Sequence, residues 1–161
     1  MPKNAVKTNA MRLLEQAGVP FETGEYEPDE SDLSAVHAAA ELGIDPDRVF
    51  KTLVTRSEGK SLYVFCIPAP AELDLKKCAA LAGEKRLEMI HVKELPALTG
   101  YIRGGCSPVG MKKKYPTWID ETAVLFETIY VSAGLRGHQL IVDPEALAAY
   151  LNAPLADLTK P

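Results

Sequence analysis

The residues with the clearest chemical potential lie in GYIRGGCSPVGMKKKYP, Gly100 to Pro116. Gly104, Gly105 and Gly110 bring a permissive backbone up against Cys106, Ser107 and Pro108, and three lysines follow. Glycines let bare amide N–H groups approach a ligand and form a nest for an ester carbonyl or ribose oxygen. The same glycines also suit a tight turn before a strand. Ser107 could add a hydroxyl to such a nest. Cys106 offers a thiol, but no His-Asp arrangement accompanies it in the sequence, so covalent catalysis is not expected of it. Lys112, Lys113 and Lys114 have two readings, a solvated face or contacts to phosphate.

Two other places add to this. Lys51 sits in VFKTLV, among Val49, Phe50, Leu53 and Val54. A lysine there either guards a strand edge or polarises a carbonyl or phosphate from a sheltered position. In VSAGLRG, Val131 to Gly137, Ser132 and Arg136 would project from a strand end and a hairpin loop, where ligand groups are often held. His37, His91 and His138 occupy positions better suited to surface or structural roles than to catalysis.

The elements that must position these residues alternate along the chain. Helical spacing marks NAVKTNAMRLLEQAG, SDLSAVHAAAELG, LDLKKCAALAG, VKELPALTG and DPEALAAYLNA. Asp74 and Asp143 are natural caps, Pro144 suits a first helical position, and Gly18, Gly43 and Gly83 are natural stops. DPDR, with Asp45 and Pro46, reads as a turn or a helix start. A strand is expected around Phe21 to Tyr26, and KRLEMI and TWID read as further strands. RVFKTLVTR and KSLYVFCIPA form one hairpin around SEG, and ETIYVSA and HQLIVD form a second around GLRG. Paired hairpins with interspersed helices predict an α+β fold, a mixed and mostly antiparallel sheet packed by helices.

Bulk properties exclude several classes. At 161 residues the chain is expected to form one domain over 1–161, with a core large enough to fold unaided. The 47% apolar and 25% charged residues are ordinary globular usage. A net charge of −4 argues against a protein that coats nucleic acid non-specifically, while leaving room for a local basic patch. No apolar run approaches the ~20 residues of a membrane span, and MPKNAVKTNAMRLL lacks the apolar core of a signal peptide. Three widely spaced cysteines, Cys66, Cys78 and Cys106, with no CxxC, indicate neither a disulfide framework nor a zinc site; a cytoplasmic setting, no membrane partner and no metal are expected. No GxGxxG or Walker loop supports a nucleotide cofactor, and none is expected.

FKTLV, LDLKKCAALAG, TGYIRGGCSPVGMKKKYPTWID and ETIYVSAGLRG together resemble the YbaK family of Cys-tRNA(Pro) deacylases. That family belongs with the editing domains related to the insertion domain of bacterial prolyl-tRNA synthetase. The resemblance spans nearly the whole chain. It implies a barrel-like sheet surrounded by helices and a trans-editing hydrolase that cleaves cysteine from mischarged tRNA(Pro), with Cys-tRNA(Cys) as a second substrate. Size discrimination between such small side chains is poor, which is why editing is needed. The family's conserved lysine falls on Lys51, the expected catalytic residue, its loop glycines on Gly104 and Gly105, its hairpin serine on Ser132 and its first-strand tyrosine on Tyr26. Thr52, Ser107 and Pro108 are expected to join these in binding substrate, and Lys112, Lys113, Lys114 and Arg136 to contact tRNA phosphates.

The chemistry implied is substrate-assisted. The thiol of the cysteinyl group attacks its own ester, and the protein supplies positioning. The implied partners are tRNA, through its aminoacylated CCA end, and prolyl-tRNA synthetase in a ternary complex. The chain departs from the family in two places. Where Phe-Gly-Asp-Glu is common it has DLSAVHAA, with Leu33 and Ser34 nearest the aromatic position, and it has Leu135 where a lysine is common. A deacylase for another mischarged species, such as Ala-tRNA(Pro), and a non-catalytic module that binds tRNA or a synthetase are the alternatives.

Overall fold

The computed structural model describes residues 6–161. Five α-helices and eight strands follow one another as α1 Asn9–Gln16, β1 Phe21–Glu25, α2 Ala35–Leu42, β2 Val49–Ser57, β3 Leu62–Pro68, α3 Leu75–Ala82, β4 Leu87–Met89, α4 Leu95–Thr99, β5 Thr117–Asp120, β6 Ile129–Leu135, β7 His138–Val142, α5 Pro144–Leu151 and β8 Leu155–Ala156. Short 3-10 turns cover Pro46–Arg48, Val92–Glu94 and Glu121–Leu125.

The helices begin where side chains satisfy the free amides of the first turn. Ser34 accepts from the His37 amide at 3.1 Å, Asp74 from the Lys76 and Lys77 amides, and Asp143 from the Glu145 and Ala146 amides. α1 starts at Asn9, later than its apolar spacing suggests, because Thr8 is the residue that caps it. Asn4 and Ala5, at the head of the expected segment, lie outside the described residues, as do Met1, Pro2 and Lys3.

All eight strands join one sheet, ordered β1-β7-β6-β2-β3-β5-β8, with β4 added on β2. The β2–β3 and β6–β7 pairs are the two expected hairpins. The β1–β7 and β2–β4 pairs are also antiparallel, whereas β2–β6, β3–β5 and β5–β8 are parallel. The fold is therefore a mixed sheet packed by helices, with more parallel pairing than the hairpins alone foretell. β8 has only two residues, too short to leave a periodic signal.

The largest core lies where α1 and α5 pack on the β6–β7 face, through Leu14, Val131, Leu140 and Leu147, all fully buried. Each such side chain contributes about 1.5–3 kcal/mol. A second core sets α3 against β3 and β4 through Phe65, Ile67, Cys78 and Leu87. The opposite face of β6 carries Tyr130, which packs with Val49, Ala39 and Ala69 beneath α2.

One detail of the sheet positions everything that follows. On the side of β2 away from β3, β6 pairs only with Val49 and Phe50, and β4 pairs only from Thr55 to Ser57. Between those partners the edge of β2 around Lys51, Thr52 and Leu53 has no strand against it among the described residues.

Candidate active site

The unpaired edge of β2 forms the floor of a cavity of about 340 Å³. Every residue from Val49 to Val54 contributes to its lining. An ordinary strand shows alternate residues to each face, so an uninterrupted run marks an exposed edge rather than a face. α2 closes one side through Ala35 and Ala38, and Ile90, Val92 and Leu95 close another. The glycine loop and the β6–β7 hairpin complete the wall with Arg103, Gly104, Cys106, Ser132 and Gln139.

Lys51 is half-buried on this floor, and its Nζ donates to the Ala69 carbonyl at 2.9 Å. That bond uses one of three N–H donors and fixes the ammonium in place. Burial lowers its pKa from the ordinary lysine value, and the Glu72 carboxylate opposes that shift. No Asp or Glu lines the cavity among the described residues, so nothing on its wall neutralises the charge. Thr52 lines the cavity beside Lys51, with its Oγ1 3.8 Å from the Cys66 sulfur. Tyr26 also lines it; its amide donates to the Gly137 carbonyl at 2.9 Å, and burial raises the pKa of its hydroxyl.

The loop from Tyr101 to Gly110 is clamped on both sides. Its Tyr101 hydroxyl donates to the Val109 carbonyl at 2.5 Å, and the Gly105 amide to the Ile102 carbonyl at 2.9 Å. Arg136 Nε donates to the Arg103 carbonyl at 2.9 Å, tying the hairpin to the loop. Gly104 has φ +84°, and a Cβ there would stand 3.1 Å from Leu33 Cδ2. Glycine is thus required both by the left-handed backbone and by the wall opposite.

The structure brings Tyr26, Lys51, Thr52, Gly104 and Ser132 to one cavity, although they come from four separate parts of the chain, Lys51 and Thr52 being neighbours on β2. It does not bring Gly105, Ser107 or Pro108 to that lining. Gly105 serves close packing, since a Cβ on it would meet the Arg136 backbone nitrogen at 3.1 Å. Ser107 is fully buried, and its Oγ accepts from the Val109 amide at 3.1 Å. Its hydroxyl oxygen is thus engaged within its own turn. Pro108 is buried beside it.

Lys112, Lys113 and Lys114 are exposed and lie outside the lining. Lys112 folds back on the end of α4, its Nζ 3.3 Å from the Ala97 carbonyl. Arg136 is likewise outside the lining, with its Nε on the loop carbonyl. Leu33 and Ser34, where the family pattern is broken, are wall residues, and Ser34 is also the cap of α2.

Two polar wall residues escape the motif reading. Gln139 is 5% exposed, and its Oε1 has no hydrogen-bond partner among the described residues. It lies directly opposite Ser132 in the β6–β7 register, so the two share a face. That register was available from the hairpin pattern, had it been followed from Ser132 across the turn. Arg103 is exposed at the cavity wall, but within the sequence it stands out only as the neighbour of two glycines. Cys106 reaches the wall too, and burial pushes its thiol up to about 12. A thiol so held stays protonated near neutral pH and is a poor nucleophile.

A family model described as an aminoacyl-tRNA editing domain matches residues 29–150. That span holds every cavity residue except Tyr26. The chain belongs to the aminoacyl-tRNA editing domain family. Within it, the chain is 49% identical, over 98% of its own length and 96% of the relative's, to an Enterococcus faecalis (strain ATCC 700802 / V583) protein named "Putative Cys-tRNA(Pro)/Cys-tRNA(Cys) deacylase EbsC". A solved structure described as "a putative trans-editing enzyme for prolyl tRNA synthetase" superposes with a TM-score of 0.82 at 27% identity, covering 98% of this chain and 100% of that one. The structure of "hypothetical protein APE2540" shares the fold, with a TM-score of 0.84 at 23% identity over 92% and 97% of the two chains. Membership in this editing family makes ester hydrolysis on aminoacyl-tRNA the activity class of the protein. Among the described residues no helix is long and apolar enough to cross a membrane.

Proposed function

We propose that the protein is a trans-editing deacylase that removes cysteine from mischarged tRNA(Pro) and from tRNA(Cys), with the chemistry assisted by the substrate's own thiol. The cysteinyl sulfur attacks the ester carbonyl and forms the C–S bond of a cyclic thioester. The C–O bond to the terminal ribose breaks, and the ribose oxygen leaves with the proton that the thiol has lost. Water then opens the thioester and releases cysteine. No side chain of the protein becomes covalently bound.

The observation that carries this reading is Lys51, a fixed, partly desolvated ammonium on the floor of a cavity with no acidic wall residue. Charge develops on the carbonyl oxygen during attack, and a preorganised cation in a partly dry site stabilises it more than water does. In this reading Tyr26, Thr52, Gly104 and Ser132 shape the space so that thiol and carbonyl meet. Gly105, Ser107 and Pro108 hold the loop in shape behind them. Lys112, Lys113, Lys114 and Arg136 meet phosphates of the tRNA further from the ester. Prolyl-tRNA synthetase, with which the structurally similar protein is associated by name, is the partner we extend to this chain.

The test is deacylation of a panel of Cys-, Ser- and Ala-charged tRNA(Pro). Cysteine should be released rapidly. Serine, with a hydroxyl in place of the thiol, should be released far more slowly although it binds comparably. Equal rates for Cys- and Ala-tRNA(Pro) would rule out thiol assistance, and turnover of none would reduce the protein to a binding module.

A further inference from the structure

The cavity has a second cation, and neither the family resemblance nor the lysine run accounts for it. Arg103 is a wall residue of this cavity and is itself exposed to solvent. The guanidinium makes no hydrogen bond or ion pair with any described residue. Its backbone, by contrast, is held firmly. The Arg103 carbonyl takes the bond from Arg136 Nε at 2.9 Å, and the Ile102 carbonyl takes one from the Gly105 amide at 2.9 Å. A fixed stem therefore carries an unpaired, always charged fork.

Its surroundings are unusual for this chain. The protein has a net charge of −4, yet its cavity holds Lys51 and Arg103 and no carboxylate among the described residues. Such a site selects a ligand with negative charge. The ester end that Lys51 would meet carries none, so another part of the ligand must supply the charge that Arg103 is free to meet. An arginine fork suits phosphate geometry and binds it through paired N–H donors.

We infer that Arg103 grips the 5′-phosphate of the terminal nucleoside whose aminoacyl ester lies over Lys51. This makes Arg103 a substrate-positioning residue inside the cavity, distinct from the exposed lysines of the following segment, and it rests on the deacylase reading above. Terminal-phosphate recognition then belongs to the same clamped loop as Gly104.

The experiment compares ligands with and without that phosphate. Titration of adenosine and adenosine 5′-monophosphate into the wild-type protein should show about tenfold tighter binding of the phosphorylated form, the effect of one charged hydrogen-bonded contact. Arg103→Gln should bind both as weakly as the wild type binds adenosine, and Arg103→Lys should recover part of the difference. Replacing Lys112, Lys113 and Lys114 together with Ala should leave the preference intact. Cysteinyl-adenosine with and without a 5′-phosphate gives the kinetic counterpart: Arg103→Gln should raise KM for the phosphorylated substrate alone and leave kcat unchanged.

Lack of any phosphate preference in the wild type, or its survival in Arg103→Gln, overturns the inference, as does its loss in the triple lysine variant. A wild type that binds neither nucleoside at millimolar concentration overturns it as well. Failure of the deacylase reading looks different, because the cysteinyl esters then survive while the binding difference remains measurable.

Discussion

Lys51 and the run Lys112–Lys114 carry the same functional group in opposite settings. Lys51 is half-buried, bonded to the Ala69 carbonyl and lowered in pKa by desolvation. The three lysines of the run are exposed. Two charges 4 Å apart interact by about 1 kcal/mol in water and by about 4 kcal/mol at the effective dielectric of a protein surface. A charge does chemistry where water has been partly removed, and it tunes affinity where water remains. In the sequence the run is the more conspicuous feature, but the structure gives the single lysine the environment that matters.

The strongest way to break this comparison is Lys51→Ala. It should fold normally and lose about 3 kcal/mol of transition-state stabilisation, a hundredfold or more in single-turnover deacylation. Near-wild-type turnover in the purified variant would make Lys51 an edge residue only.

The pH dependence sharpens the same point. The folded pKa of Lys51 lies below the ordinary value of 10.5, so the unfolded chain binds this proton more tightly. Activity that needs the ammonium should therefore fall as pH rises through the lowered value, before an ordinary lysine would titrate. Over that window this group's contribution to stability should rise with pH, since the unfolded state still holds the proton that the folded state has given up. Rate profiles and melting curves of wild type and Lys51→Met, taken side by side, should move in opposite directions; parallel movement would assign the effect to other groups.

Gly105→Ala probes the wall behind the site. The new Cβ would stand 3.1 Å from a backbone nitrogen that cannot turn aside. Overpacking of this kind costs about 1–3 kcal/mol, and thermal unfolding should show Tm lowered by about 2–4 °C per kcal/mol. An unchanged Tm would mean that the hairpin yields freely.

At the weak end, replacing Lys112, Lys113 and Lys114 with Ala should reduce the slope of log affinity for tRNA against log salt by about 0.7 to 1 per lost phosphate contact, with kcat retained. Smallest of all should be Cys106→Ala, which keeps most of the activity because the thiol it removes is protonated. A trapped acyl-enzyme in the wild type, absent from the variant, would restore Cys106 as nucleophile.

The sequence by itself determined the local elements and their punctuation. Asp74 and Asp143 cap helices, Gly43 and Gly83 end them, and the two hairpins pair as their alternating patterns require. These depend on neighbours a few residues away, where hydrogen-bonding side chains and period-2 patterns leave a direct trace. It also singled out Lys51, Gly104 and Ser132, because unusual residue types in apolar or glycine-rich surroundings are visible without coordinates.

Only the tertiary structure decided which of these residues share a cavity. The parallel contact of Val49 and Phe50 with Tyr130 and Val131 joins distant parts of the chain, and β4 takes the same edge of β2 further on. The gap between those two partners exposes the edge around Lys51. The fold likewise turned Ser107 inward and placed Arg103 and Gln139 on the wall. Side-chain direction in a loop is set by contacts across the molecule, and no local pattern encodes it.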